Sequence, residues 1–218
     1  GVGIVGVPEF WLNAMRNQEV LGSMVTEKDE EALKFLLDVR CEDVDDMKGF
    51  KIVLHFAPNP FFTNSELSKE YGIPNMYSGG EPMLSNAEGT EIKWKKGKNL
   101  TVKAVQKKKK AGRKGAKTVT VMEPTDSFFS WFTAPSLDGE ASDSEAEEAE
   151  LYNQLDADFE IGLTFREKLI PQAYAWFTGE AVELDSEDED DEDYEPSSGE
   201  EPDDADDDDD DDDDDAEV

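Results

Sequence analysis

The sequence predicts an α+β fold: an antiparallel β-sheet with a protruding basic hairpin, helices packed against the sheet, and a disordered acidic C-terminal tail. Three observations carry this. FKIVLHF, residues 50–56, alternates Phe50, Ile52, Leu54 and Phe56 against Lys51, Val53 and His55, the period of a strand with one wholly apolar face. Leu151, Leu155 and Phe159 recur at the spacing of one helix face. The chain then closes on uninterrupted aspartates at 206–215, a run with no apolar group to bury.

The elements follow in order. Pro8 suits the first turn of a helix through FWLNAMRN, where its missing donor costs little, with Trp11 and Met15 on one face. A second helix is expected near Thr26. T-E-K-D resembles a capping box with Asp for Glu, Asp29, Glu30 and Glu31 suit the positive end of the dipole, and Leu33, Leu36 and Leu37 supply an apolar stripe. D-M-K-G is a plausible hairpin turn into the 50–56 strand, and Asn59-Pro60 marks a break after it. FFTNSELSKEYGI predicts a strand with Leu67 and Tyr71 inward. TEIKW predicts another, carrying Ile92 and Trp94.

LTVKA places Leu100, Val102 and Ala104 on one side, and TVTV, 118–121, can pair back against it around the tip QKKKKAGRKGAK. Pro124 ends the sheet, and Thr125 or Asp126 can cap a short helix, DSFFSWF, with Phe128, Phe129 and Phe132 inward. PSLDGEASDSEAEEAE reads as a mobile acidic loop with a helical end. Beyond it Ile170, Ala173, Tyr174 and Phe177 continue at helical spacing, Pro171 marks a helix start or kink, and Gly179 ends the helix. These boundaries divide the chain into a domain at 1–182, with its acidic loop at 136–149, and a disordered tail at 183–218.

The formal net charge is -34 and it is uneven. Of 55 acids, 25 fall in 183–218 with no Lys or Arg among them, leaving 30 acids against 21 bases in the body. That body holds all 4 Trp and all 12 Phe, enough for one ordinary core. Cys41 is the single cysteine, so neither an internal disulfide nor a thiolate zinc site is expected. No apolar run approaches the roughly 20 residues of a membrane helix, and GVGIVGVP lacks the flanks of a signal peptide. The first residue is Gly rather than Met, which suggests a fragment or processed form.

Catalysis finds little footing. His55, the only histidine, faces away from the apolar side of its strand and reads as a rim residue. No G-x-S-x-G, P-loop or H-E-x-x-H occurs, and the loop Tyr77-Ser78-Gly79-Gly80 lacks the lysine-bearing helix of a phosphate cradle. No enzyme activity, cofactor or resident metal is expected.

The cluster Lys107, Lys108, Lys109, Lys110, Arg113, Lys114 and Lys117 has three readings. Cations at an exposed tip suit the acidic groove of a nuclear import receptor, the favoured reading. Nucleic-acid binding is disfavoured, since a chain this negative repels phosphates over about 8 Å and more. A solvated tip is the third. Ser142, Ser144 and Ser186 stand among acids that suit an acidophilic kinase, as do Ser197 and Ser198, and each phosphate would add about -1.5 to -2 charges.

The tail carries Glu183, Asp185, Glu187, Asp188, Glu189, Asp190, Asp191, Glu192, Asp193, Asp203, Asp204 and the run that includes Asp206, Asp210 and Asp215. Solvation alone is one reading. The density favours another: a polycation would release counterions as it binds, as cations do on DNA with the signs reversed, and histones are the most cationic candidates. A flexible carboxylate run has no fixed geometry for Ca²⁺, so metal buffering is disfavoured.

Taken in order, GVPEFWLNAMRN, KDEEALKFL, GFKIVLHFAPNPFFTNSELSKEY, GTEIKWKKGKNLT, DSFFSWF and DFEIGLTFREKLIPQAYAWFTGEA resemble the nucleosome assembly protein family over nearly all of 6–183. The last motif favours that family proper over its SET-type relatives. The resemblance implies a histone chaperone without catalysis, an "earthmover" α+β domain with an acidic concave surface, and core histones as partners. It also implies movement between nucleus and cytoplasm, no direct DNA binding, no membrane association, and an import signal at the basic tip. The family's long helix, expected to form a homodimer in the intact protein, would precede GVPEFW and is not found here. Two alternatives stay open: a phosphatase-inhibitor-type regulator, and a chaperone of other basic proteins such as linker histones.

Overall fold

A computed structural model of the chain describes residues 6–44, 48–74, 84–108, 118–133 and 145–182. Its entry is helical: α1 (Phe10–Asn17), α2 (Glu19–Met24) and α3 (Glu27–Leu33). Pro8 stands just before α1, whose N-cap is Glu9, and Met15 is buried while Trp11 is half-buried. Helix α2, between two elements the sequence predicted, was not expected. The capping box of α3 forms as its residues require: Thr26 Oγ1 accepts from the Asp29 amide at 3.3 Å, and Asp29 Oδ2 accepts from the Thr26 amide at 3.0 Å.

The predicted apolar stripe of that helix is corrected. Leu33 ends α3, whereas Leu36 and Leu37 open strand β1 (Leu36–Asp43). A register shift between Leu36 and Asp38 leaves Leu37 exposed and breaks the alternation that would have marked the strand. Strands β2 (Gly49–Phe56), β3 (Glu66–Gly72) and β4 (Asn86–Gly89) complete an antiparallel sheet in the order β1-β2-β3-β4. Phe50, Ile52, Leu54 and Phe56 are all buried, and so are Leu67 and Tyr71. At the break, Asn59 Oδ1 accepts from the amides of Phe61 and Phe62.

No strand forms at TEIKW. The fourth strand lies just upstream, and Trp94 meets Phe62 through an isolated bridge. Ile92 and Trp94 nonetheless pack on the core, so the alternation located the right faces without the pairing. Gly89, at the end of β4, admits the Phe132 carbonyl so closely that a Cβ would lie 1.9 Å from its oxygen. The basic hairpin forms as a separate ribbon, β5 (Val102–Lys108) with β6 (Thr118–Pro124), and β6 ends at the predicted proline. It is thinly packed: Ala104 and Met122 stand opposite each other and both are exposed.

DSFFSWF is a 3-10 helix, Phe128–Phe132, capped by Ser127 rather than Thr125 or Asp126. Ser127 Oγ accepts from the Phe129 amide and donates to Asp29 Oδ1 at 2.6 Å, so the cap serves two helices and its position is fixed by the longer-range bond. Phe128, Phe129, Trp131 and Phe132 are buried, each such side chain worth about 1.5–3 kcal/mol in area removed from water.

Helix α4 (Glu145–Leu163) starts inside the predicted acidic loop 136–149, because Glu and Ala there are strong helix formers. Leu155 is buried, and Phe159 packs on Phe50 and Tyr71. A π-helical segment, Thr164–Leu169, and a turn separate α4 from α5 (Ala173–Thr178), which Gly179 closes in the left-handed region. That interruption rephases the helix. Trp176 is buried and Tyr174 is 69% exposed, not inward as its spacing predicted. Helix α5 packs on α1, with Phe10 stacked on Phe177 at 4.9 Å and Asn17 Nδ2 donating to the Trp176 carbonyl.

Candidate acidic interface

The two faces of the sheet divide the chemistry. Registers Glu42↔Lys51, Lys51↔Glu70 and Glu70↔Glu88 set those four side chains in one row across all four strands. A second row joins Asp38, His55 and Glu66, and Arg40 lies between the two. These residues are exposed or half-buried, opposite the face that carries Phe50, Ile52 and Leu54. Five carboxylates therefore share one solvent face with Lys51, Arg40 and His55. Glu70 stands directly opposite Glu88, a like-charge pairing that weakens a sheet and gains nothing for the fold.

His55 Nδ1 is 3.6 Å from a Glu66 carboxylate oxygen, so the rim reading holds for it. Cys41 lies on β1 facing the core, and burial pushes its thiol up from the ordinary value, away from thiolate reactivity. Among the described residues no group of three or more His, Cys, Asp or Glu could hold a metal ion. No helix among them is long and apolar enough to cross a membrane.

The inner face holds a polar knot. Lys69 of β3, wholly buried, donates to Asp158 Oδ2 and to the Trp131 carbonyl, each at 2.7 Å. Tyr71 Oη lies 2.7 Å from the Asp158 carbonyl oxygen and 2.8 Å from Asp158 Oδ1, and accepts from Trp131 Nε1 at 3.0 Å. Sheet, 3-10 helix and α4 are thereby tied at one point. Burial pushes the Lys69 ammonium down and the Asp158 carboxyl up, against their mutual attraction. Burial and the adjacent Asp158 charge also raise the Tyr71 phenol, which stays protonated.

Of the residues singled out in the sequence, Lys107 lies on β5 and pairs with Glu123 at 2.5 Å, which holds that carboxyl below its usual range. Lys108 is the last residue of β5. Lys109, Lys110, Arg113, Lys114, Lys117, Ser142, Ser144, Ser186 and every tail acid from Glu183 onward lie outside the described residues, as does the loop 77–80. The carboxylate rows were missed. Alternation with Leu67 and Tyr71 could have placed Glu66 and Glu70 outward, but β1 was hidden by its bulge and β4 was expected four residues later.

Fold and surface define an acidic α+β protein whose distinctive feature is a charged sheet face. The sequence model of the family described as Nucleosome assembly protein (NAP) matches residues 3–180. The chain is 49% identical over 181 residues to Nucleosome assembly protein 1;2 of Nicotiana tabacum, covering 83% of this chain and 47% of that protein. It is 46% identical over 181 residues to Nucleosome assembly protein 1;1 of Arabidopsis thaliana, covering 83% and 48%. The solved Nucleosome Assembly Protein 1 from Plasmodium knowlesi superposes with a TM-score of 0.58 at 35% identity, covering 79% of this chain and 68% of that one. The chain belongs to the nucleosome assembly protein family. It spans about half the length of the curated relatives it matches.

Proposed function

We propose that the chain is a histone chaperone that binds core histones through its acidic sheet face and its tail. The observation that carries this reading is the Glu42–Lys51–Glu70–Glu88 row, with Glu70 facing Glu88 on the solvent side. A fold that keeps two carboxylates in register has a cost that a cationic ligand would offset. Histones hold DNA non-specifically through Lys and Arg. The chaperone competes for the same cations, so loose histone–DNA contacts are removed while the better-formed nucleosomal ones survive. No ATP is required, because the chaperone sets the free-histone level by mass action. The sheet face supplies selectivity, and the tail raises on-rate and affinity.

The basic tip that begins at Lys107 serves as a nuclear import signal, and the protein moves between cytoplasm and nucleus. In the longer protein, a helix preceding residue 6 pairs two copies. Ser142, Ser144 and Ser186 are phosphorylation sites that add to the negative charge.

The test is a titration of core-histone dimers into the full chain and into the double variant Glu70→Gln/Glu88→Gln. The variant is expected to bind roughly three- to tenfold more weakly at physiological salt, the scale of one or two exposed charges. Equal affinities would remove the sheet face from the account. Linker histone in parallel identifies the cargo, which is expected to be the core-histone dimer.

A further inference from the structure

Apart from the basic hairpin, one further surface runs against the net charge of the chain. Residues 90–101 contain Lys93, Lys95, Lys96 and Lys98, all exposed, and a single acid, Glu91. The segment is held firmly. The Thr63 amide donates to the Lys93 carbonyl at 3.0 Å, the Lys95 amide donates to the Phe61 carbonyl at 2.7 Å, and Trp94 packs edge-on against Phe62 and Phe129. The turn closes with the Lys98 amide on the Lys95 carbonyl, and Gly97 supplies its positive φ.

The cations are placed by neutral groups. Lys95 Nζ donates to the Asn59 carbonyl, and Lys98 Nζ sits 5.7 Å from the centre of the Phe61 ring. None of the four pairs with a carboxylate among the described residues. Four lysines within six positions, fixed on a rigid loop and without counter-charge, form a platform for a polyanion.

The chain carries a polyanion of its own, the aspartates at 206–215. The stretch 183–205 connects them to the domain. Covalent geometry limits the span of that stretch to roughly 75 Å. A domain of this size is about 40 Å across, so the run can reach any part of the surface. Tethering gives it an effective concentration on the order of millimolar. A nucleic-acid phosphate backbone would meet the same lysines only against the repulsion of the whole chain, at a formal net charge of -34.

We propose that the loop carrying Lys93, Lys95, Lys96 and Lys98 is the docking platform for the chain's own aspartate run, which lies back on the domain until a stronger polycation takes it. The contact shields the tail from weakly basic proteins and sets a threshold that cargo must exceed. The threshold rests on the proposed function, whereas the docking itself is tested without histone, so the two can fail separately.

The test is residue-resolved lysine acylation, read by mass spectrometry, on the full chain and on a full-length variant with every aspartate of 206–215 changed to Asn. At low salt Lys93, Lys96 and Lys98 of the native chain are expected to react roughly threefold or more slowly than in the variant, a difference that high salt abolishes. Exposed Lys28 and Lys48 serve as internal references and are expected to react alike in both. Equal rates at the three lysines would overturn the proposal. So would protection that grows with protein concentration, which marks another copy's tail, or protection that appears only on adding duplex DNA. As a second measurement, Lys93→Gln/Lys96→Gln/Lys98→Gln is expected to raise the radius of gyration at low salt above that of the native chain at the same salt. No change would count against docking.

Discussion

Lys69 Nζ lies 2.7 Å from Asp158 Oδ2, an ion pair with neither partner in water that joins the middle of the sheet to helix α4. Two charges this deep lose more in hydration than a surface pair does, and only good geometry and further hydrogen bonds offset the loss. The bonds to the Trp131 carbonyl and from Tyr71 supply some of that. Breaking the pair from one side, by Lys69→Met or Asp158→Ala, is expected to cost about 3–5 kcal/mol in urea unfolding, because a buried charge is left alone. The double change Lys69→Met/Asp158→Leu is expected to be near neutral or stabilising. Tyr71 keeps the Asp158 backbone carbonyl at 2.7 Å as an acceptor.

The same pair gives a pH signature. The Asp158 carboxyl is raised in the folded state, so its favourable contribution is present at acid pH and is lost as pH rises through its folded value. The Lys69 ammonium is lowered, so its contribution is present above the ordinary lysine range and is lost as pH falls through its folded value. Between the two ranges both groups are held charged at a cost. The stability of the double apolar variant relative to the native chain is therefore expected to be greatest near neutrality and to shrink toward both extremes. Thermal unfolding of the two proteins across pH measures it, and a flat difference would contradict the assignment.

Asp29 is wholly buried and serves two helices at once, accepting from the Thr26 amide, Thr26 Oγ1, Ser127 Oγ and the Phe128 amide. Asp29→Ala removes a cap and leaves the Phe128 amide unpaired, with an expected loss of about 2–4 kcal/mol from those two costs together. Ser127→Ala removes one bond to Asp29 and one cap on the 3-10 helix, for about 1–2 kcal/mol. Denaturant midpoints rank the two variants, and equal losses would contradict the proposed centrality of Asp29.

Gly162 sits in α4 where propensity alone favours alanine by about 1 kcal/mol. Its position opposes that preference, since an added Cβ would lie 2.3 Å from the Tyr71 ring. Gly162→Ala is expected to destabilise by roughly 1–3 kcal/mol as the knot around Tyr71 gives way. A stabilised variant in thermal unfolding would mean that α4 does not seat there.

Glu88→Gln separates stability from function. Glu88 lies on the outermost strand, opposite Glu70, so neutralising it is expected to leave the fold unchanged or gain about 0.2–1 kcal/mol. Histone binding is expected to weaken at the same time. A variant that loses both stability and binding would assign Glu88 to the fold instead.

Much of this molecule was legible where local chemistry and long-range packing agree. The capping box at Thr26 and Asp29, the apolar face of β2, the hairpin partners of β5 and β6, and the stop at Gly179 each follow from a short-range rule the fold obeys. The misses share a cause. The bulge at Leu37 breaks the period of β1, and the π-helical turn rephases Tyr174 and Trp176, so periodicity points the wrong way at both. Lys69 reads as an outlier on the inner face because its partner is 89 positions away. The acidic face needed the registers of four strands, and sequence supplied the inward sides of only two.

The central claim, that carboxylates on the sheet and tail bind histones, is tested most directly by calorimetric titration of purified core-histone dimers into the full chain over a range of salt. The account predicts a saturable complex at physiological ionic strength whose log affinity falls linearly with log salt, and less steeply when the aspartates of 206–215 are changed to Asn. No complex, or an affinity indifferent to both salt and the tail, would contradict it.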